Sequence, residues 1–169
     1  KISIITGGSE GIGFGIAEAL AKLGSHVYLV ARNITKLEKA ASSIRDNRGK
    51  ADYFEGDITD FNKMKQIIDS IYESQGRLDI FVNNAGAWKL QSIETPAGEL
   101  REIRHFLRDA PTDITEYLVR KFKETDQELK ILTVVSQAGL KFMPGNLGYG
   151  SAKMGLAASM LVLQGELDE

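Results

Sequence analysis

Short apolar runs alternate along this chain with longer segments in which apolar residues recur at helical spacing. The runs are rich in β-branched residues and contain few charges, which is typical of strands buried on both faces of a parallel sheet. They predict strands at residues 1–6, 26–31, 51–55, 79–83 and 131–135. The alternation predicts an α/β fold: a doubly wound parallel sheet of at least five strands, covered by helices on both faces in a three-layer α/β/α arrangement. Residues 1–169 are predicted to form a single domain.

The segments between the strands predict helices at residues 11–24, 34–48 and 113–124, and one more that Tyr149 and Lys153 open. Another helix is predicted to begin after a capping Thr59 or Asp60. Its inner face carries apolar residues at helical spacing: Phe61, Met64, Ile67, Ile68 and Ile71. A short amphipathic helix is predicted around residues 100–107, and the prolines on either side of it, Pro96 and Pro111, should break regular structure.

The first strand leads directly into a glycine-rich turn, TGGSEGIG at residues 6–13, and then into a helix. A strand, a glycine turn and a helix N-terminus together form an anion site, because free amides point outward and the helix dipole favours negative charge. Gly7 is predicted to allow the tight turn, Gly11 to let the backbone approach a pyrophosphate, and Gly13 to let the helix pack closely on the sheet. The alternative is an ordinary strand–helix turn that needs glycine only for its geometry.

Tyr149 and Lys153 lie four residues apart, on one face of the predicted helix. A free phenol titrates near pH ~10, so acid–base work near neutrality requires a neighbour that favours the phenolate. The ammonium group of Lys153 would be that neighbour. Alternatively, the two side chains form an ordinary pair on a solvated helix. Ser136 follows the fifth strand and is either a hydrogen-bond donor to a substrate oxygen or a polar residue that ends a buried strand.

The glycine turn led by Thr6, the segment NNAG at residues 83–86, Ser136, and the pair Tyr149 and Lys153 follow one another in an order that resembles the short-chain dehydrogenase/reductase family. The resemblance covers nearly the whole chain. It implies a Rossmann fold and hydride transfer between a nicotinamide cofactor and a carbonyl or alcohol substrate. Tyr149 would be the acid/base, Ser136 would hold the substrate oxygen, and Lys153 would also bind the nicotinamide ribose.

The same resemblance implies a larger set of cofactor-binding residues. They are Gly7, Ser9, Glu10, Gly11, Ile12, Gly13, Arg32, Asp57, Ile58, Asn84, Ala85, Gly86, Tyr149 and Lys153. Asn84 to Gly86 resemble the segment that lines the adenosine ribose, and Asp57 and Ile58 the pair that contacts adenine. Asp57 is equally a turn residue. Asn83 is predicted to bond neighbouring strands instead.

The end of the second strand bears on the choice between NADP and NAD. Family members selective for NAD place an acid there, whereas this chain has Ala31-Arg32-Asn33. A guanidinium group can bond the 2′-phosphate of NADP in a bidentate, charge-assisted manner, and Ser9 could add a hydroxyl. Glu10 opposes this preference, because many NADP-selective members carry a basic residue at its position. NADP is therefore the favoured cofactor, with NAD as the alternative.

Two features depart from the family pattern. The family usually has a catalytic asparagine in the helix before strand five, but no asparagine lies between Ala85 and Ser136, and by spacing Asp109 falls nearest to its place. The family also has two further strands and a segment that covers the substrate. We therefore expect an incomplete chain with weak cofactor binding, negligible turnover and an exposed edge at strand five. A natural minimal form is the alternative.

Composition limits the remaining possibilities. The chain has 21 basic and 23 acidic residues and no basic patch that favours nucleic acid. It has no cysteine, which excludes disulfides and thiolate metal sites, and no metal site is predicted. The longest apolar run, residues 154–163, is too short to cross a membrane. We predict a cytoplasmic enzyme that forms a homodimer or homotetramer. A non-catalytic NADP-binding or regulatory protein, and an interaction module on the same scaffold, are the alternatives.

Overall fold

The computed structural model describes residues 1–141 and 143–167. Its centre is a sheet of five parallel strands. These are β1 (Ile2–Thr6), β2 (His26–Ala31), β3 (Lys50–Glu55), β4 (Ile80–Asn83) and β5 (Lys130–Thr133). They lie side by side in the order β3-β2-β1-β4-β5, so that the direction of winding reverses between β1 and β4. The doubly wound Rossmann arrangement predicted from the sequence is confirmed.

In the part of the chain that the structure describes, six α-helices connect and cover the strands. They are α1 (Gly11–Lys22), α2 (Ile34–Asp46), α3 (Phe61–Gln75), α4 (Ala97–Arg104), α5 (Ala110–Phe122) and α6 (Leu147–Leu167). Two of them begin at a side-chain cap, because the carboxamide of Asn33 accepts a hydrogen bond from the amide of Lys36 and the carboxylate of Asp60 accepts one from Lys63, both at 2.9 Å. Of the two caps predicted for α3, Asp60 is therefore the one used.

Alternate residues of each central strand face opposite sides of the sheet. On one side Ile4 and Phe81 belong to the apolar cluster that includes α3 and α5. On the other side Ile5 and Val82 belong to the cluster that includes α1 and α2. All four side chains are fully buried. The strands therefore need apolar residues at successive positions, which explains why they appear in the sequence as uninterrupted runs.

The region around Pro111 differs from the sequence-based prediction. The chain stays helical from α4 into α5 through a π-helical turn, His105–Asp109, in which the amide of Ala110 donates to the carbonyl of His105 five residues earlier. Pro111 lies in the first turn of α5, where a missing N–H is tolerated. The expectation that Pro111 breaks the helix was wrong, whereas Pro96 does precede the start of α4.

A second difference concerns Phe61, which was predicted to lie on the inner face of α3. It is 38% exposed, because it is the first residue of the helix, and its ring meets the edge of Tyr117 at a centroid distance of 6.0 Å. The other four predicted residues of that face are buried. Strand β5 forms the edge of the sheet in the part of the chain that the structure describes, and Leu132 on it is 50% exposed.

Candidate cofactor and catalytic site

The glycine turn between β1 and α1 has the geometry that its residues predict. Gly7 has a φ of +64°, and a Cβ atom there would lie 2.8 Å from the Cα of Ala85. A Cβ atom on Gly13 would lie 2.3 Å from the carbonyl oxygen of Gly7. Gly11 has a φ of +59°, but a Cβ atom there would meet nothing within 4 Å. Packing therefore requires glycine at residues 7 and 13, whereas the backbone at Gly11 is open to a ligand.

Side-chain hydrogen bonds fasten this turn to the end of β4. The hydroxyl of Thr6 donates to the carbonyl of Val82 at 3.0 Å and accepts from the amides of Asn84 and Ala85 at 3.0 and 3.1 Å. The carboxamide of Asn84 donates to the carbonyl oxygens of Thr6 and Gly7 at 2.9 and 3.2 Å. The two loops that meet at the reversal of winding are therefore one rigid unit, at the place where doubly wound sheets bind ligands.

A cleft of about 820 Å³ opens above this unit, along the carboxyl ends of the strands. Its lining includes nearly every site residue predicted from the sequence: Gly7, Ser9, Glu10, Gly11, Ile12, Arg32, Asp57, Ile58, Asn84, Ala85, Gly86, Ser136, Tyr149 and Lys153. The exception is Gly13, which is buried in the first turn of α1. That turn has no acidic residue, and no side chain caps its amides, so it suits an anion such as a pyrophosphate.

Arg32 lies at one end of the cleft. Its guanidinium group is 3.8 Å from the carboxylate of Asp57 and 5.9 Å from the ring centroid of Phe106. Asp57 also accepts hydrogen bonds from the backbone and hydroxyl of Thr59 at 2.9 and 2.8 Å, so it both lines the cleft and closes a turn. Both interpretations of Asp57 are therefore compatible with its position. No acid occupies the end of β2.

Tyr149, Lys153 and Ser136 line the cleft together with the glycine turn. Lys153 is only 5% exposed, and its Nζ donates to the carbonyl of Val134 at 2.9 Å. Burial lowers the pKa of Lys153 below its ordinary value. The Oγ of Ser136 accepts from the amide of Ala138 at 3.2 Å, so its hydroxyl proton is available to another acceptor. Tyr149 is half-buried, one helical turn before Lys153.

With this geometry in place, comparison with known proteins identifies the family. The family model described as short chain dehydrogenase matches residues 1–169. The chain belongs to the short-chain dehydrogenase family. An uncharacterized oxidoreductase of Listeria monocytogenes is 31% identical over 98% of this chain, which spans 67% of that relative's length. The short-chain dehydrogenases are oxidoreductases that use a nicotinamide cofactor.

Solved structures of short-chain dehydrogenases have the same fold. One from Bacillus anthracis has a TM-score of 0.92 at 27% identity, over 98% of this chain and 67% of its own. A 3-oxoacyl-[acyl-carrier protein] reductase from Brucella melitensis, solved in complex with NAD, has a TM-score of 0.86 at 26% identity, over 96% of this chain and 67% of its own. Among the described residues, no helix has an apolar stretch long enough to cross a membrane.

By spacing, Asp109 falls nearest to the place of the catalytic asparagine of short-chain dehydrogenases. The carboxylate of Asp109 is paired with its neighbour Arg108 at 2.5 Å, and Asp109 is not among the residues found to line the cleft. Phe106, three residues earlier, does line it. Asn83 bonds Thr115 at 2.7 Å and Thr133 of β5 at 3.3 Å, which confirms its predicted role between neighbouring elements.

The lining of the cleft also includes residues that the sequence analysis did not predict, among them Lys36, Trp88 and Phe106. Phe106 had been assigned to a packed helix face, and its helical spacing gave no sign of the cleft. The indole of Trp88 donates to the side chain of Asn146 at 3.0 Å, and this contact joins residues 58 positions apart. Backbone bonds between Gln91 and residues 145 and 147, at 2.7 and 3.0 Å, fasten the same loop to the start of α6. No local sequence signal marks such contacts.

Proposed function

We propose that this chain carries the cofactor site and the catalytic residues of an oxidoreductase that moves a hydride between NADP and a carbonyl or alcohol substrate. The observation that carries the proposal is the single cleft, which gathers the glycine turn, Arg32, Ser136, Tyr149 and Lys153. If the glycine turn served only the geometry of the backbone, or if Tyr149 and Lys153 were only a surface pair, there would be no reason for both to line the same cleft.

The residues present fit a dinucleotide. The open backbone at Gly11 and the uncapped amides of α1 would hold the pyrophosphate. Ile58 and Asp57 would contact the adenine, and Asn84 to Gly86 would lie along the ribose. A bound nicotinamide would supply the hydride acceptor or donor. Lys153 would hold the second ribose through the N–H groups not directed at Val134.

Side chains of this chain would transfer the proton that accompanies the hydride. In the direction of reduction, the phenol of Tyr149 would give its proton to the substrate oxygen, and in the direction of oxidation the phenolate would take it back. The buried ammonium of Lys153 would stabilise the phenolate electrostatically, and burial strengthens that effect because water screens it less. Ser136 would donate its free hydroxyl proton to the same substrate oxygen.

Arg32 supports the preference for NADP over NAD. Its ion pair with Asp57 is long, at 3.8 Å, and its side chain is 71% exposed, so little energy holds it in place. A 2′-phosphate would offer a doubly charged partner with several acceptor oxygens. The Brucella reductase has the same fold and was solved with NAD, so the fold alone does not dictate NADP, and the preference proposed for this chain rests on Arg32.

The test uses Tyr149→Phe and Lys153→Met beside the unmutated protein. Tyr149→Phe removes the proton but keeps the ring, so we expect turnover of a ketone panel to fall by at least ~100-fold while NADPH affinity stays within about twofold. Lys153→Met should lower both turnover and affinity. Near-normal turnover by Tyr149→Phe would refute the assignment of the acid/base.

A second candidate is a non-catalytic NADP-binding protein. It is favoured by the apolar Phe106 on the cleft wall and by the pairing of Asp109 with Arg108. NADPH binding without turnover, measured on the full-length protein, would establish it. The cytoplasmic location and the homodimer or homotetramer stay predictions.

A further inference from the structure

A salt bridge lies in the lining of the same cleft as Arg32, between Glu10 and Lys36, and Lys36 is only four residues further along the chain than Arg32. The Nζ of Lys36 donates to both carboxylate oxygens of Glu10, at 3.0 and 2.9 Å. Glu10 precedes α1 and Lys36 lies in the first turn of α2, and both line the cleft. The glutamate that seemed to oppose NADP is therefore neutralised by a lysine that the sequence pattern did not single out.

The charges at this end of the cleft are balanced in pairs. Arg32 is 3.8 Å from Asp57, and Lys36 is 2.9 Å from Glu10. Two cations and two carboxylates give no net charge, so the site as it stands offers no unopposed cation to an anion. A phosphate monoester near neutral pH carries a charge of about −1.5 to −2 and three acceptor oxygens. Such a group would compete with either carboxylate for its cation.

The ion pair between Lys36 and Glu10 is weak enough for Lys36 to leave Glu10 and bind another anion. The side chains are 51% and 68% exposed, and pairs of that kind contribute little stability, about 0–1 kcal/mol. Releasing Lys36 exposes no buried charge, because water reaches both groups. The backbone of Lys36 is meanwhile fixed, since its amide is held by the side chain of Asn33 at 2.9 Å. The ammonium group can therefore move between Glu10 and a ligand while its anchor stays in place.

We propose that Lys36 is a second binding residue for the 2′-phosphate of NADP, and that Glu10 is a built-in competitor that holds Lys36 when no phosphate is present. The inference rests on the proposed function, because it assigns this end of the cleft to the 2′-phosphate. It makes the preference for NADP a property of four side chains, Arg32, Lys36, Glu10 and Asp57, rather than of Arg32 alone.

The experiment isolates the phosphate from the rest of the cofactor. Binding of 2′,5′-ADP and of 5′-AMP is measured by calorimetry on the purified chain, with the unmutated protein, Lys36→Met and Glu10→Gln. The two probes differ by the 2′-phosphate alone. Lys39→Met is the matched control, because Lys39 is an exposed lysine three residues further along α2 and lies outside the set of residues that line the cleft. Circular dichroism checks that each variant is folded.

Lys36→Met should weaken 2′,5′-ADP by about tenfold, the size of one charge-assisted hydrogen bond in an exposed site, and leave 5′-AMP within twofold. Glu10→Gln should tighten 2′,5′-ADP by about three- to fivefold, since the competing pair is a weak one, and again spare 5′-AMP. Unchanged 2′,5′-ADP affinity in Lys36→Met would overturn this inference while leaving the cofactor site intact. Equal affinity of the unmutated protein for the two probes would instead overturn the NADP preference, and this inference with it.

Discussion

Asp69 of α3 has three hydrogen-bond partners, two of them on α5, and its substitution should lower the stability of the protein by an amount that depends on pH. Its carboxylate accepts hydrogen bonds from the phenol of Tyr117 and from the ammonium groups of Lys121 and Lys65. Burial by itself would raise the pKa of Asp69, but the bonds from Lys121, Lys65 and Tyr117 outweigh it and lower the pKa from 3.8 to about 2. Burial and the bond to Asp69 raise the pKa of Tyr117 to about 12.

The shift corresponds to roughly 2 kcal/mol, at about 1.4 kcal/mol per pKa unit. Because the pKa of the folded state is depressed, this stability is fully present above the unfolded value near 4 and is lost as the pH falls through the folded value of about 2. Asp69→Asn should therefore lower the free energy of unfolding by roughly 2 kcal/mol at pH 7. The difference from the unmutated protein should shrink between pH 4 and pH 2.

Urea denaturation at constant ionic strength, repeated from pH 7 to pH 2, measures both effects. Glu73→Gln is the control, since Glu73 is an exposed acid on the same helix, and its substitution should change stability by less than about 0.5 kcal/mol at each pH. A deficit in Asp69→Asn that stays constant down to pH 2 would refute the reasoning, because a packing defect has no reason to follow the protonation of one carboxylate.

Three glycine substitutions test the geometry of the site and of the loop beside it. Gly13→Ala should destabilise the protein by about 1–3 kcal/mol in thermal unfolding and weaken NADPH binding, because its Cβ atom would lie 2.3 Å from the carbonyl of Gly7. Gly15→Ala in the same helix adds a Cβ atom that meets nothing within 4 Å, so it should stabilise the protein by up to about 1 kcal/mol. A Gly15→Ala variant less stable than Gly13→Ala would contradict this description of the turn. Gly148→Ala would place a Cβ atom 2.1 Å from the side-chain oxygen of Gln91. It should therefore speed hydrogen exchange in the loop that Gln91 anchors, and unchanged protection would count against that anchor.

The sequence predicts those parts of the fold in which the local backbone conformation or burial requires one type of residue. Buried parallel strands need apolar residues on both faces, and the uninterrupted apolar runs around Ile4 and Phe81 are visible in the sequence for that reason. A positive φ or a contact without room for a Cβ atom needs glycine, and Gly7 and Gly13 satisfy these needs. Ser136, Tyr149 and Lys153 all follow β5 in the chain, and the parallel order of the strands brings them to the same cleft as the glycine turn.

The contacts that could not be predicted are between side chains distant along the chain. Glu10 and Lys36 are 26 residues apart, and each taken alone is an ordinary surface charge. Only the folded arrangement, which brings the first turns of α1 and α2 to the same end of the cleft, turns them into a pair. The effect of Glu10 on cofactor choice therefore could not be judged from Glu10 alone, because its ion pair with Lys36 is a contact that the sequence does not reveal.

The π-helical turn His105–Asp109 lies directly before α5, and its last residue is the one that spacing places nearest to the family's catalytic asparagine. A π turn holds one residue more than the α-helical spacing allows, so every position before it is shifted relative to the helix that follows. In the structure Asp109 is paired with Arg108, and Phe106 lines the cleft below the guanidinium group of Arg32. The wall of the site at this point is therefore aromatic. An aromatic ring neither accepts nor relays a proton, so Phe106 takes no part in a proton path, and the proposed chemistry assigns the proton to Tyr149, with Lys153 and Ser136 beside it in the same cleft.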